Sequence, residues 1–206
     1  VLGGGQLGRM LLQEAIDLDI TIAALDPDPK APCHQIVHEF THGSFKDEQT
    51  VLDFGKDKDV ITVEIEHVNI AALKKLAADG IKVFPQPEVL EIVQDKGLQK
   101  DFYKKHDIPT APYALVENKA ELVERKDLLP FAQKLRKGGY DGKGVSVMKS
   151  ASDFEKAFDA PSVLEQFVDF EKELAVIAVR NEAGEVTTYP AVELEFNPEA
   201  NLVELL

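Results

Sequence analysis

The stretch Lys134–Val145, KLRKGGYDGKGV, places four glycines and four basic residues in twelve positions of an otherwise acidic chain. It follows the extended-looking run LLPFAQ and leads into VSVM, which alternates like a strand. A strand, a glycine turn and a second strand with cationic stems can lay backbone N–H groups and lysines over a polyphosphate. Glycine lets the main chain approach closely, and lysine supplies point charge. In a strand over 129–136, Lys134 and Arg136 project to one face because side chains alternate. The stretch is not a Walker loop: Lys137 stands five residues before Gly142, and Gly144 rather than Ser or Thr follows Lys143. Two readings stay open, the lid of a nucleotide site and a glycine hairpin kept soluble by its lysines.

Working outward, 206 residues suffice for one large or two small domains. The net charge of −14 argues against a nucleic-acid surface, so any anionic ligand must be held by local cations. A single cysteine, Cys33, excludes an internal disulfide framework and fits a reducing compartment. No long apolar run marks a signal peptide or membrane span, and a cytoplasmic location is expected. Both ends read as cut. Val1-Leu2 is too short for the strand that a glycine loop follows, and NLVELL stops inside what reads as a strand.

At the N-terminus, Gly3, Gly5 and Gly8 have G-x-G-x-x-G spacing before an amphipathic helix, and the strand TIAAL ends at Asp26. That pattern suits a dinucleotide, with Asp26 on a ribose, or a smaller anion near Gln6 and Arg9 at the helix N-terminus. His34, His38 and His42 recur every four residues, but Pro29, Pro32 and β-branched neighbours disfavour the helix that would align them on a metal. In the predicted strand VITVEIEHVN, Thr62, Glu64 and Glu66 alternate onto one face. Those two carboxylates could hold a ribose, orient an amine, or form a solvated strand end.

The element order predicts a doubly wound parallel sheet to about residue 85, then a helix pair carrying Lys96 and Lys100 one turn apart. A second, α+β unit follows. In it Glu165 and Glu173 flank a connector that could offer backbone groups to an adenine edge and a carboxylate to ribose hydroxyls. Expected boundaries are 1–88 for a first domain, 89–164 for a lid subdomain with its linker helices, and 165–206 for the start of a larger lobe.

In this order, GGGQLGRM at 3–10, TVEIEHVN at 62–69, QDKGLQK at 94–100, IPTAP at 108–112, GGYDGKGV at 138–145 and VLEQFV at 163–168 resemble the ATP-grasp family. The likeness lies with its 5-(carboxyamino)imidazole ribonucleotide synthases and spans almost the whole chain. It implies an α/β pre-ATP-grasp domain followed by a partial α+β ATP-grasp domain. The implied reaction is ATP- and bicarbonate-dependent carboxylation of aminoimidazole ribonucleotide through carboxyphosphate, with magnesium, in a homodimer. By similarity, Lys96 and Lys134 contact ATP phosphates, and Gly138, Gly139, Tyr140, Asp141, Gly142, Lys143 and Gly144 close over them. Glu165, Gln166 and Val168 hold adenine and Glu173 the ribose, while Gln6, Leu7, Glu64 and Glu66 lie near the ribonucleotide. The resemblance makes Asp26 a coincidental match to the dinucleotide rule. It assigns no metal ligand here, so the E-x-E-x-N set Glu193, Glu195 and Asn197 is not taken as one, and the 206 residues are expected to be catalytically incomplete. Alternatives are a formate-using glycinamide ribonucleotide transformylase, an NAD-dependent dehydrogenase, and a non-catalytic nucleotide-binding module.

Overall fold

A computed structural model describes residues 1–139, 143–197 and 202–205. The chain divides into two compact units, Val1–Gln166 and one beginning at Phe167.

The first unit opens with the glycine loop and α1 (Gln6–Asp17), whose Leu12 and Ala15 are buried. β1 (Ala23–Asp26) pairs in parallel with β2 (Glu39–His42). α2 (Glu48–Gly55) is capped by Asp47, whose carboxylate accepts the Thr50 N–H. β3 (Val60–Thr62) follows, then α3 (Ile70–Ala78), where the Asn69 side chain caps Ala72. β4 (Lys82–Phe84) pairs in parallel with β3. Leu2 forms parallel bridges to Leu25 and Val63, so it joins the two strand pairs.

Alternation along these short strands feeds two clusters. Val1, Ile22 and Ala24 pack with Leu12 and Ala15 of α1, whereas Leu2, Leu25, Ile61 and Val83 pack with Val51, Phe54, Leu73 and Leu76 of α2 and α3. Fully burying each such leucine or isoleucine contributes about 1.5–3 kcal/mol, enough to fix the loop that leaves Leu2. The architecture is mixed α/β, with strands shorter than the sequence suggests. In particular, VITVEIEHVN is not one strand: β3 ends at Thr62. Its partner β4 runs into Pro85, which has no N–H for the ladder. Just beyond Thr62 the ladder continues through a single bridge to Leu2, whose carbonyl accepts the Glu64 N–H at 2.8 Å.

α4 (Pro87–Gln94) and α5 (Lys96–Lys105) form the expected helix pair, with Pro87 at the first helical turn and Asp95 capping α5. β5 (Tyr113–Val116), α6 (Lys119–Glu124), β6 (Phe131–Leu135), β7 (Val145–Met148) and β8 (Ser162–Gln166) complete the unit. A 3-10 helix, Ala151–Lys156, lies between β7 and β8. The sheet order is β5-β8-β6-β7, antiparallel throughout. One face packs Phe131, Met148 and Leu164 against Val116, Leu122 and Phe154. Gln133, also on that face, is fully buried and satisfied by Ser162 Oγ, the Phe158 carbonyl and the Phe158 N–H.

In the second unit, β9 (Leu174–Ala175) pairs with β12 (Val192–Glu193), β10 (Ala178–Arg180) with β11 (Val186–Thr188), and β13 (Glu195–Asn197) with β14 (Leu202–Leu205). A turn at Asn181–Gly184 joins β10 to β11, with Gly184 at φ +85°. Among the described residues no helix is long and apolar enough to cross a membrane.

Candidate nucleotide-binding site

Antiparallel pairing of β6 with β8 sets Ala132 opposite Glu165 and Lys134 opposite Val163. Alternation puts these four residues on the face turned away from the Phe131 core. Lys134 Nζ donates to Glu165 Oε2 at 2.7 Å, and Lys100 Nζ of α5 donates to Oε1 at 2.8 Å. Lys100 Nζ also reaches Thr110 Oγ1 at 2.5 Å and lies 5.4 Å from the Tyr113 ring centroid. Burial pushes the Glu165 carboxyl up, but the two lysines outweigh it and hold the group below its ordinary pKa. These residues line a cavity of about 260 Å³ together with Lys96 and Tyr103. The Lys96 ammonium has no hydrogen-bond or ion-pair partner among the described residues. Three lysines and a half-buried carboxylate around one small cavity can hold a phosphate on one side and accept a hydrogen bond from an amine or hydroxyl on the other.

The glycine hairpin rises from the same sheet. β6 and β7 pair from Phe131↔Met148 to Lys134↔Val145, and the Leu135 N–H extends the ladder to the Gly144 carbonyl at 2.8 Å. Gly144 sits at φ +79°, and a Cβ there would lie 3.2 Å from Leu135 Cδ1. A Cβ on Gly139 would come within 2.8 Å of the Lys143 carbonyl, so glycine is required where the loop closes. Gly138 is at φ +76° with open space around it. Tyr140, Asp141 and Gly142, expected in the lid, lie outside the described residues.

Below the hairpin, Arg136 grips Asp95. The carboxylate is 4% exposed and also accepts the Gly97 and Leu98 N–H groups at the start of α5. Burial opposes ionisation of Asp95, yet Arg136 and the two amides hold its pKa below the ordinary value. This grip ties the stem of the hairpin to the helix that carries Lys96 and Lys100.

Not every expected residue joins this cluster. Gln166 falls on the opposite face from Glu165 by alternation, its amide directed to the Leu128 carbonyl at 3.5 Å. Val168 and Glu173 belong to the second unit, where both are exposed and the Glu173 carbonyl accepts the Leu194 N–H. Thr110 and Asp95 were not singled out by sequence, and Lys100 was given no role in a site. Lys100 stood one turn from Lys96, but nothing local tells a buried lysine from a solvated one. Asp95 carried the signal of an N-cap residue before a helix.

At the other glycine loop, Glu64 is the organising side chain. A Cβ on Gly3 or Gly5 would lie 2.6 Å or 2.5 Å from its carboxylate oxygens, so that carboxylate occupies the loop beside the N-terminus of α1. Asp26 Oδ2 accepts the Gly4 N–H at 2.7 Å and Oδ1 the Asp28 N–H at 2.8 Å. Two carboxylates thus lie at this glycine loop, an arrangement that repels an anionic pyrophosphate and counts against the dinucleotide reading. Gln6 and Leu7 are exposed at the start of α1. Glu66 does not share a strand face with Glu64; its segment is pinned by Gln94, which donates to the Glu66 and Val68 carbonyls at 2.7 Å and 2.8 Å. A cavity of about 280 Å³ lies there, lined by Lys46, His67, Gln94 and Gly138. The His67 Nε2 atom is buried without a hydrogen-bond partner among the described residues.

The three spaced histidines do not converge. His34 stacks on Phe40 and bonds the Pro29 carbonyl, His38 Nδ1 accepts the Ile22 N–H, and His42 meets the Pro27 carbonyl. Among the described residues no group of three or more His, Cys, Asp or Glu is set to hold a metal, and Glu193 is paired with Lys172 at 2.6 Å. A separate cavity of about 380 Å³ beside Val1, Leu11, Ile22 and Phe54 is walled mainly by apolar groups, with Glu14, Lys58 and Asp59 also in its lining.

Residues 1–94 match the ribonucleotide synthetase preATP-grasp domain model, and residues 101–199 match the ATP-grasp domain model. The chain is 40% identical over 203 residues to a phosphoribosylaminoimidazole carboxylase of Ogataea methanolica, covering 94% of this chain and 37% of that protein. It is similar to the crystal structure of N5-carboxyaminoimidazole ribonucleotide synthetase from Thermotoga maritima, with 42% identity, a TM-score of 0.84, and coverage of 93% of this chain and 52% of that one. It is also similar to an N5-carboxyaminoimidazole synthase from Aspergillus clavatus solved with ADP and 5-aminoimidazole ribonucleotide. There the identity is 35%, the TM-score 0.85, and the coverage 96% of this chain and 53% of that one. The chain thus spans about half the length of the solved proteins it matches, and less of the yeast one.

Proposed function

The chain belongs to the ATP-grasp family, and from that premise we propose that it binds ATP for the carboxylation of 5-aminoimidazole ribonucleotide in purine biosynthesis. The observation that carries this reading is the Lys100–Glu165–Lys134 cluster lying on the sheet from which the glycine hairpin rises.

In this reading Lys96 and Lys134 take the nucleotide phosphates, and Gly138 to Gly144 close over them. Glu165, with Gln166 and the backbone at Val168, holds adenine, and Glu173 holds the ribose. Magnesium is proposed as the counter-ion of the phosphates. Bicarbonate oxygen attacks the γ-phosphorus, ADP leaves, and carboxyphosphate forms. The exocyclic amine of the ribonucleotide then takes the carboxyl group, directly or as released carbon dioxide, and phosphate departs. Such chemistry needs positioning, charge neutralisation and exclusion of water more than a protein nucleophile. Gln6, Leu7, Glu64 and Glu66 are proposed on the ribonucleotide side, and the cavity at His67 and Gly138 supports that location because it borders the hairpin stem.

We read the parallel pairs joined by Leu2, with α1 and α2–α3 in separate clusters, as one doubly wound sheet of a pre-ATP-grasp domain over 1–88. Residues 89–164 are then the lid subdomain and 165–206 the start of the larger lobe. A cytoplasmic homodimer without nucleic-acid or membrane partners completes the proposal.

The test is ADP release by the complete gene product with magnesium-ATP and bicarbonate, with and without aminoimidazole ribonucleotide. A sharp rise with the ribonucleotide is expected. A rise only with glycinamide ribonucleotide and formate would move the assignment to a transformylase.

A further inference from the structure

We infer that Lys100 is a positioning residue: it keeps Glu165 ionised and aimed while Lys134 exchanges that carboxylate for a nucleotide phosphate. The inference rests on the nucleotide reading of this cavity and adds to it a division of labour between two lysines that share one carboxylate.

Burial separates them. The Lys100 side chain is 9% exposed and that of Lys134 35%. Lys100 Nζ is held by Glu165 Oε1 and Thr110 Oγ1, and it sits 5.4 Å and 6.0 Å from the ring centroids of Tyr113 and Tyr103. Its backbone carbonyl accepts the Tyr113 hydroxyl at 3.2 Å, which fixes the helix turn from which it extends. Withdrawing this ammonium would strand a charge where water cannot replace the carboxylate. Among the described residues the Lys134 ammonium bonds Glu165 alone, and it borders the same cavity as Lys96. An anionic phosphate entering between Lys96 and Lys134 gives Lys134 a new partner of the same sign. Lys100 lines the same cavity but is the more buried of the two and is held by Thr110 as well as Glu165, so it stays with the carboxylate.

The exchange leaves Glu165 with one cation instead of two. The groups around it are Lys96, Lys100 and Tyr103 from α5, Lys134 from β6, Tyr113 from β5, and Thr110 from the segment before β5. Without Lys100, a departing Lys134 would leave a half-buried carboxylate unpaired, and the group would take up a proton from solvent rather than accept a hydrogen bond from the nucleoside. Nucleotide affinity should then depend on pH in a way the wild type does not share.

The experiment titrates ADP into the complete gene product by calorimetry between pH 5.5 and 8.5, comparing wild type with Lys100→Met. The ratio of variant to wild-type Kd is expected to be about threefold at the alkaline end and to exceed about tenfold at the acid end. On a Glu165→Gln background, adding Lys100→Met should cost less than about twofold, because no charge remains to be held. A ratio constant across pH, or an undiminished loss on the Gln background, means Lys100 only packs the helix and overturns the inference. Should Lys100→Met not fold, Thr110→Val carries the test: a smaller loss with the same acid slant supports the inference, and a flat one overturns it. A wild type that binds no ADP at any pH removes the nucleotide reading and this inference together, whereas binding with a flat ratio removes only the latter.

Discussion

Arg136 and Asp95 meet through two parallel hydrogen bonds, Nε to Oδ1 at 2.9 Å and Nη2 to Oδ2 at 3.0 Å. The fork spans Gly97 so closely that a Cβ there would lie 2.5 Å from Arg136 Nε. Since the same carboxylate caps α5, removing it uncaps a helix and strands a guanidinium together. Asp95→Ala should lower unfolding free energy by about 3–5 kcal/mol in urea denaturation. Arg136→Lys keeps the charge and loses the fork, so its cost should be nearer 1 kcal/mol, about one lost hydrogen bond. Equal costs for the two variants would mean the fork geometry contributes nothing.

Asp95 and Glu165 also fix the acid side of the stability profile. Both carboxyls are held below their ordinary pKa in the folded chain, although burial works against ionisation in each. The unfolded chain therefore binds protons first as pH falls. Their contribution to stability is complete above the ordinary carboxylate range, near 4, and is lost as pH drops through the depressed folded values. Midpoints of chemical denaturation should be flat from pH 8 to about 5 for these two groups and fall below that. In Asp95→Asn the acid decline should be shallower than in wild type. An unchanged slope would remove Asp95 from the linkage.

Lys134→Ala separates ligand binding from folding. Glu165 keeps Lys100 as its partner, so thermal stability should change by less than about 1 kcal/mol, the range of a partly exposed ion pair. ADP affinity should fall by about ten- to a hundredfold, corresponding to a charged hydrogen bond of about 1.5–3 kcal/mol. Calorimetric titration beside a melting curve reads both. A large stability loss with intact affinity would make Lys134 a structural residue.

The hairpin glycines rank by their surroundings. Gly138 and Gly144 both have positive φ, but only Gly144 has neighbours at 3.2 Å. Gly138→Ala should cost about 1–2 kcal/mol from the backbone alone. Gly144→Ala adds a clash with Leu135 and should cost more and loosen the β6–β7 ladder, read by amide exchange of Leu135. Equal costs would show that the loop relaxes freely.

Much of this arrangement was legible in the sequence because its signals are local. Glycines and lysines in alternating flanks marked the hairpin, whose stem residues Lys134 and Arg136 pair with Glu165 and Asp95. Glu165 was legible as a carboxylate beside a connector, and the prolines bounded the helix pair. What escaped depends on pairing across distance. Arg136 finds Asp95 across 41 residues and Lys100 finds Glu165 across 65, and no periodicity encodes either. Alternation misled at Glu64 and Glu66, because the ladder ends at Thr62 for want of partners and the chain turns into the glycine loop. The dinucleotide spacing of Gly3, Gly5 and Gly8 is real, but it accommodates the protein's own carboxylate.

That last contact gives a test confined to the first glycine loop. A Cβ at Gly5 would meet Glu64 Oε1 at 2.5 Å and Cδ at 3.2 Å, so Gly5→Ala must push the carboxylate out of the loop. Gly5 is at φ −72°, where alanine has no backbone penalty, so the effect should arise from Glu64 alone. If Glu64 serves the ribonucleotide side, KM for aminoimidazole ribonucleotide should rise about tenfold or more in Gly5→Ala and in Glu64→Gln. ADP affinity, which depends on Lys96, Lys134 and Glu165, should stay within about twofold of wild type in both, since sites that share no partner act independently. A fall in ADP affinity equal to the rise in KM would mean the glycine loop supports the fold of the whole unit rather than one substrate.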